Sequence, residues 1–288
     1  MHALIDLRRR IRSVRNTQQM TQAMKTVATA KLKKAQRPLM EARPYWHSFP
    51  PFLFELAFWA GRYVHPLLMR REEKTADCLI LTSDKGLCGA FNSNLLERAL
   101  AFLEEKAVKA DIRLILMGKK AVTFFKHRPF PLRRVYSGNI DRLTSEELRE
   151  LAQFLTQLYA YGQTDAVYLI YNEFKSILAP RITIEKILPI EFPEESRIHE
   201  GLTPDWEPEI ESIFVTLLPR YVENQILHSF FESTASEHAS RMMAMENATK
   251  NAEELIGDLT LVLNKVRQAS ITKELLEIMT AVEALAGK

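Results

Sequence analysis

HASRMMAMENATKNAEELIGDLTLVLNKV, residues 238–266, decides the fold. His238, Met242, Met245, Thr249, Ala252, Ile256, Leu259, Leu263 and Val266 recur in steps of four and three without a break. That is the 3.5-residue period of a coiled-coil seam. The pattern reaches back through Ala235 and Phe231, and after a phase slip it resumes at Ile271, Leu275, Ile278, Val282 and Leu285. Between Glu209 and Leu285 only Pro219 and Gly257 could interrupt a helix. An unbroken helix of about 65 residues after Pro219 would measure about 100 Å at 1.5 Å per residue. A domain of this size cannot enclose such a rod, so the seam needs a partner.

The N-terminus offers one. Leu4, Leu7, Ile11, Val14, Gln18, Thr21, Lys25, Ala28, Leu32, Ala35, Leu39 and Ala42 keep the same spacing. Gln18, Thr21 and Lys25 make the middle polar, which sets register or faces something other than the partner helix. Residues 1–43 carry eleven Lys/Arg against Asp6 and Glu41, whereas residues 207–288 carry seven basic and thirteen acidic side chains. Opposite charge favours pairing within the chain over a homodimeric coiled coil. A bundle of several shorter helices is the other arrangement. Pro38 predicts a kink in the first helix, and Pro50-Pro51 predicts its end.

The middle of the chain changes period. Residues 78–82, 112–117 and 166–171 are apolar runs of strand length, and 182–188 alternates like a more exposed strand. Helices are predicted at 94–108, 119–126 and 144–161, two of them opened by the capping boxes Asn94-x-x-Glu97 and Thr144-x-x-Glu147. Strand–helix alternation implies a mainly parallel sheet covered by helices. The fold class is therefore α/β: a long antiparallel two-helix coiled coil from the N- and C-terminal segments with an inserted Rossmann-like α/β domain. Its parts are an N-terminal coiled-coil helix (1–58), the α/β domain (76–195) and a C-terminal coiled-coil helix (207–286).

Chemistry-bearing motifs are few. Ser83-Asp84-Lys85-Gly86-Leu87-Cys88-Gly89-Ala90-Phe91-Asn92 sits between the first strand and a helix, where a dinucleotide fold places its phosphate loop. Gly86 and Gly89 give only GxxG, which a tight turn explains as well. Cys88 is either a thiol near a helix start or incidental, and with Cys78 it forms neither a disulfide framework nor a CxxC pair. The seven histidines include no pair at helical ligand spacing. No catalytic residue, cofactor or metal is assigned. No run is long enough to span a membrane, and no N-terminal apolar core suggests secretion. Three function classes remain: a non-catalytic shaft, an α/β enzyme with a helical oligomerisation arm, and a nucleic-acid-binding helical hairpin based on Arg8–Arg15. The last lacks interleaved aromatics.

Three strings are more specific than periodicity. Val14-Arg-Asn-Thr-Gln-Gln-Met-Thr-Gln-Ala-Met-Lys-Thr-Val-Ala28, with Ala30-Lys-Leu-Lys-Lys-Ala-Gln36, resembles the first helix of the gamma subunits of F-type ATP synthases. Thr82–Asn92 resembles that family's turn after its first sheet strand, and Asn264–Ile278 its C-terminal tip. The resemblance implies a central-stalk rotor that couples ion-driven rotation to ATP synthesis or hydrolysis at the catalytic beta subunits. It implies the alpha and beta subunits of the ring, the epsilon subunit and the membrane c-ring as partners, with no nucleic acid and no membrane span of its own. Carried over by position, it places partner contacts at Met24 and Lys25 on the first helix and at Arg267, Gln268, Thr272 and Glu274 on the tip. Apolar residues from Ile271 to Leu285 would suit a greasy sleeve. Ala281-Val282 stands where the family usually has Gly-Ala, and Pro38 is unusual in its first helix. The cysteine pair of the redox-regulated chloroplast relatives is missing, so thiol control is not expected. The implied location is peripheral, on the cytoplasmic face of a bacterial cell membrane.

Overall fold

The computed structural model describes residues 2–59, 65–138, 140, 143–176, 180–191, 207 and 209–286. The expected segments within 192–206, and the side chain of Leu285, lie outside the described residues. In chain order the elements are α1 (His2–Trp59), β1 (Thr75–Leu81), α2 (Phe91–Ala107), β2 (Asp111–Met117) and α3 (Lys119–Phe125), followed by β3 (Leu132–Tyr136), α4 (Ser145–Ala160), β4 (Ala166–Phe174), β5 (Pro180–Leu188) and α5 (Ile210–Ala286). The chain divides into two units, Met1–Ala28 with Met242–Lys288, and Thr29–Arg241.

The first unit is a two-helix seam. On α1 the covered positions are Leu4, Leu7, Ile11, Val14, Gln18, Thr21, Lys25 and Ala28, and every described residue between them is exposed. On α5, from Lys250 to Ser270, only Ala252, Ile256, Leu259, Leu263, Val266 and Ser270 are covered. Thr21 meets Thr249 and Lys25 meets Glu246, so the two helices run antiparallel. The sequence pattern and the burial pattern coincide residue for residue here, because side chains three and four apart share one helix face.

The second unit is a sheet covered on both faces. Its strand order is β3-β2-β1-β4-β5. The β1–β2, β1–β4 and β2–β3 pairs are parallel and β4–β5 is antiparallel. Leu79 and Leu81 of β1 pack into one core with α4, Leu53 and Leu56 of α1, and Phe214 to Phe230 of α5. Ala76, Cys78 and Ile80 of the same strand face α2 and α3. Burial on both faces explains why β1, β2 and β4 are continuous apolar runs rather than alternating ones. Gly118 follows β2 at φ +108, and a Cβ there would sit 2.4 Å from the Thr82 carbonyl oxygen, so the two strand ends close together only over glycine.

Three expectations need correction. α1 does not end at Pro50-Pro51; it runs through Pro38, Pro44, Pro50 and Pro51 to Trp59. Each proline costs about 3 kcal/mol in a helix interior. Leu39, Leu53 and Leu56 are fully buried, and each such side chain offsets about 1.5–3 kcal/mol. The last helix, expected over 207–286, spans Ile210–Ala286 and passes through Pro219, with Phe214 and Leu218 buried ahead of it. Asn94 caps nothing: its N–H already donates to Ala90 O over 3.0 Å, and α2 begins at Phe91. Finally, β3 is a strand that the pattern did not reveal. The Thr144–Glu147 capping box is present, with the Thr144 side chain accepting from Glu147 N and the Glu147 side chain from Thr144 N.

Candidate partner-facing surface

The polar middle of the seam is built from threonines. Thr249 Oγ1 lies 2.8 Å from Thr21 Oγ1 and 2.8 Å from Met245 O, while Thr21 Oγ1 lies 3.0 Å from Gln18 O. A threonine facing a threonine bridges the seam and fixes register, since a shift by one residue would break the bridge and leave each hydroxyl only its own helix carbonyl. Lys25, half-buried, places Nζ 3.5 Å from Glu246 Oε1, and Lys250 approaches the same oxygen at 3.6 Å. Basic α1 and acidic α5 thus meet here as the charge asymmetry suggests.

Met24 sits beside the seam and is 42% exposed. With Met20 and Val27, also exposed, it forms an apolar stripe at spacings of four and three on the outer face of α1. Met20 and Val27 were not singled out from sequence. The signal was available, since they are apolar at positions the seam register leaves outside.

The covered face of α5 runs on to Ser270 in its original register and then stops. From Ile271 to Val282 every residue is exposed, including Ile271, Leu275, Leu276, Ile278, Met279 and Val282. A helix apolar on several sides and covered on none is a surface that a partner must cover. Arg267, Gln268, Thr272 and Glu274 are interspersed with it and exposed. Thr272 Oγ1 donates to Gln268 O over 3.0 Å, whereas Arg267 and Glu274 have no ion pair among the described residues. The six residues singled out from sequence form two patches rather than one site. Continuing the 21/249 and 25/246 pairing puts Met24 opposite roughly residue 247, about 30 Å along the helix from Arg267.

The Ser83–Asn92 turn is the other candidate. It lies at the carboxyl end of β1 beside β4, the switch point where open α/β sheets bind ligands. Its polar groups are committed to one another. Asn92 Oδ1 accepts from Ser83 N at 3.0 Å, Asn92 Nδ2 donates to Ser83 Oγ at 2.8 Å and to Cys88 Sγ at 3.1 Å, and Ser83 Oγ donates to Lys85 O at 2.7 Å. Arg241 of α5 donates to the Lys85 and Gly86 carbonyls at 3.2 and 3.3 Å and is braced by Glu237 at 2.7 Å. Burial disfavours charge on Asp84, but three backbone N–H groups, from Gly138, Ile140 and Lys119, outweigh it and hold the carboxyl below its usual range. Cys88 is buried, and burial pushes its thiol up, which argues against a reactive thiolate. The turn reads as a clamp between sheet and α5. Among the described residues no cluster of three metal-ligating side chains occurs, and no helix is long and apolar enough to cross a membrane.

Known proteins with this sequence and architecture agree with one another. A family model described as ATP synthase matches residues 3–285. The ATP synthase gamma chain of Pelotomaculum thermopropionicum is 42% identical over 285 residues, 99% of this chain and 100% of that one. That of Anaeromyxobacter dehalogenans (strain 2CP-C) is 44% identical over 289 residues, with the same coverage of each. Among solved structures, the central stalk and c-ring of the Tetrahymena thermophila mitochondrial ATP synthase is similar at a TM-score of 0.61 and 25% identity, covering 80% of this chain and 99% of that one. The Euglena gracilis mitochondrial ATP synthase in rotational state 3 shares the fold at a TM-score of 0.66 and 20% identity, covering 99% and 95%. With identity above 40% across essentially its whole length, the chain belongs to the family of ATP synthase gamma chains.

Proposed function

We propose that this chain is the central-stalk rotor subunit of a proton-translocating F-type ATP synthase, and that it does no bond-breaking chemistry itself. The observation that carries this reading is the bare end of α5, apolar and exposed from Ile271 to Val282 and uncovered among the described residues. An apolar collar inside an apolar sleeve of alpha and beta subunits turns without breaking directional bonds, because dispersion and burial are indifferent to rotation about the axis. Arg267, Gln268, Thr272 and Glu274 supply the opposite behaviour. Their hydrogen bonds to the ring form at particular angles only, and charged ones contribute about 1.5–3 kcal/mol each. Met24 and Lys25 meet the beta subunits lower on the shaft. Rotation of so uneven a surface presents a different face to each catalytic site.

The α/β unit, with its switch-point turn closed by Arg241 and Asn92, serves as the mount. It carries the epsilon subunit and the membrane c-ring and binds no nucleotide, and the complex sits peripherally on the cytoplasmic face of a bacterial membrane. Mixing the full chain with alpha and beta subunits tests the reading. Assembly restores ATPase activity, truncation after Val266 weakens its coupling to rotation, and Arg267→Ala or Glu274→Ala lowers the rate by about tenfold, the equivalent of one charged hydrogen bond. Failure of the chain to associate with such a ring sinks the reading.

A further inference from the structure

Within the Thr29–Arg241 unit, Trp46, Phe49, Glu185, Tyr221, Asn224 and His228 line a cavity of about 190 Å³. It is aromatic on several sides: the Trp46 and His228 rings lie 4.4 Å apart, and Phe49 stacks on Tyr221 at 6.2 Å. Its acid is short of a counter-charge. Glu185 accepts a long hydrogen bond of 3.4 Å from the Tyr171 hydroxyl, and among the described residues it has no salt bridge. His228 Nε2 lies 3.3 Å from Glu232 Oε1 and Arg43 lies 3.8 Å from the same oxygen, so among the described residues neither forms an ion pair with Glu185. Burial pushes the Glu185 carboxyl above its usual range, and His228 and the Tyr171 hydroxyl offset that push only in part.

Aromatic rings around a partly buried carboxylate are what an organic cation requires. The ring quadrupoles attract diffuse positive charge, and the carboxylate answers it. A hard metal cation would need six or more oxygen ligands, which one carboxylate and two amides do not supply. An anion would meet Glu185. We propose that this cavity binds a small organic ammonium ion, enclosed by Trp46 and Tyr221 and neutralised by Glu185.

Trp46 is itself the reporter. In the full chain carrying Trp59→Phe and Trp206→Phe, tetramethylammonium chloride is titrated against sodium chloride at equal ionic strength while indole emission is followed. The expected result is a saturable change with tetramethylammonium alone. Its dissociation constant rises by about tenfold in Glu185→Gln and again in Tyr221→Leu, the loss of one desolvated contact in each case. Melting curves establish that each variant is folded. If Glu185→Gln does not fold, Tyr221→Leu decides, since it opens the cage and leaves the charge. Equal responses to both salts, no saturation, or unchanged affinity in the folded variants would overturn the proposal.

Discussion

Asp77 lies fully buried in β1, and Arg133 of β3 reaches its Oδ1 at 2.7 Å while Oδ2 has no hydrogen-bond partner. Burial pushes this carboxyl up, and Arg133 opposes the push. Removing one partner of such a pair strands a charge, at a cost of about 3–5 kcal/mol. Arg133→Ala is therefore expected to lower the urea midpoint far more than Arg134→Ala on the same strand. Glu73 behaves in the opposite way. Burial disfavours its charge, but Lys106 at 2.9 Å, Lys186 at 3.0 Å and the Tyr168 hydroxyl at 2.9 Å outweigh that and hold the carboxyl at about 2 instead of 4.5. Because the folded value is the lower one, Glu73 contributes stability above the unfolded value and loses it as pH falls from about 4.5 towards 2. Unfolding measured across that window should show a steep acid limb, shallower in Glu73→Gln; equal slopes would mean that the network does not hold the charge.

Among the elements, the seam is where local pattern and structure agree best, and its polar core makes a sharp prediction. Thr249→Val alone removes the bond across the seam while Thr21 keeps Gln18 O, and should cost about 0.5–1.5 kcal/mol. Thr21→Val with Thr249→Val removes both groups and should cost less than the sum of the single changes, a coupling that a double-mutant cycle reads directly. β1, β2 and β4 were legible because strands buried on both faces are written as apolar runs. β3 was not. Leu132-Arg-Arg-Val-Tyr136 follows a proline, carries two arginines and lies at the sheet edge, and its pairing depends on Asp77, 56 residues away. Pro50-Pro51 misleads as an end signal for a related reason. The local penalty is visible in sequence, whereas the burial of Leu53 and Leu56 against the sheet is not.

At the scale of the whole molecule, the sequence carried the family through three strings and the seam through its period, but not where the shaft stops being covered. The unbroken apolar period ends at Val266, yet the covered face continues to Ser270 and only then ends. The period of apolar residues reports a helix face; it does not report whether another helix still lies against it. Met20 and Val27, which extend the exposed apolar stripe to either side of Met24, were not singled out, since exposed apolar residues outside a seam register as noise in a heptad. Rotation is the property that separates a shaft from any other coiled coil. With the alpha and beta subunits fixed to a surface and a marker attached to the α/β unit, ATP should drive the marker round in one direction, in steps whose rate follows ATP turnover. Full ATPase turnover with a stationary marker would contradict the account.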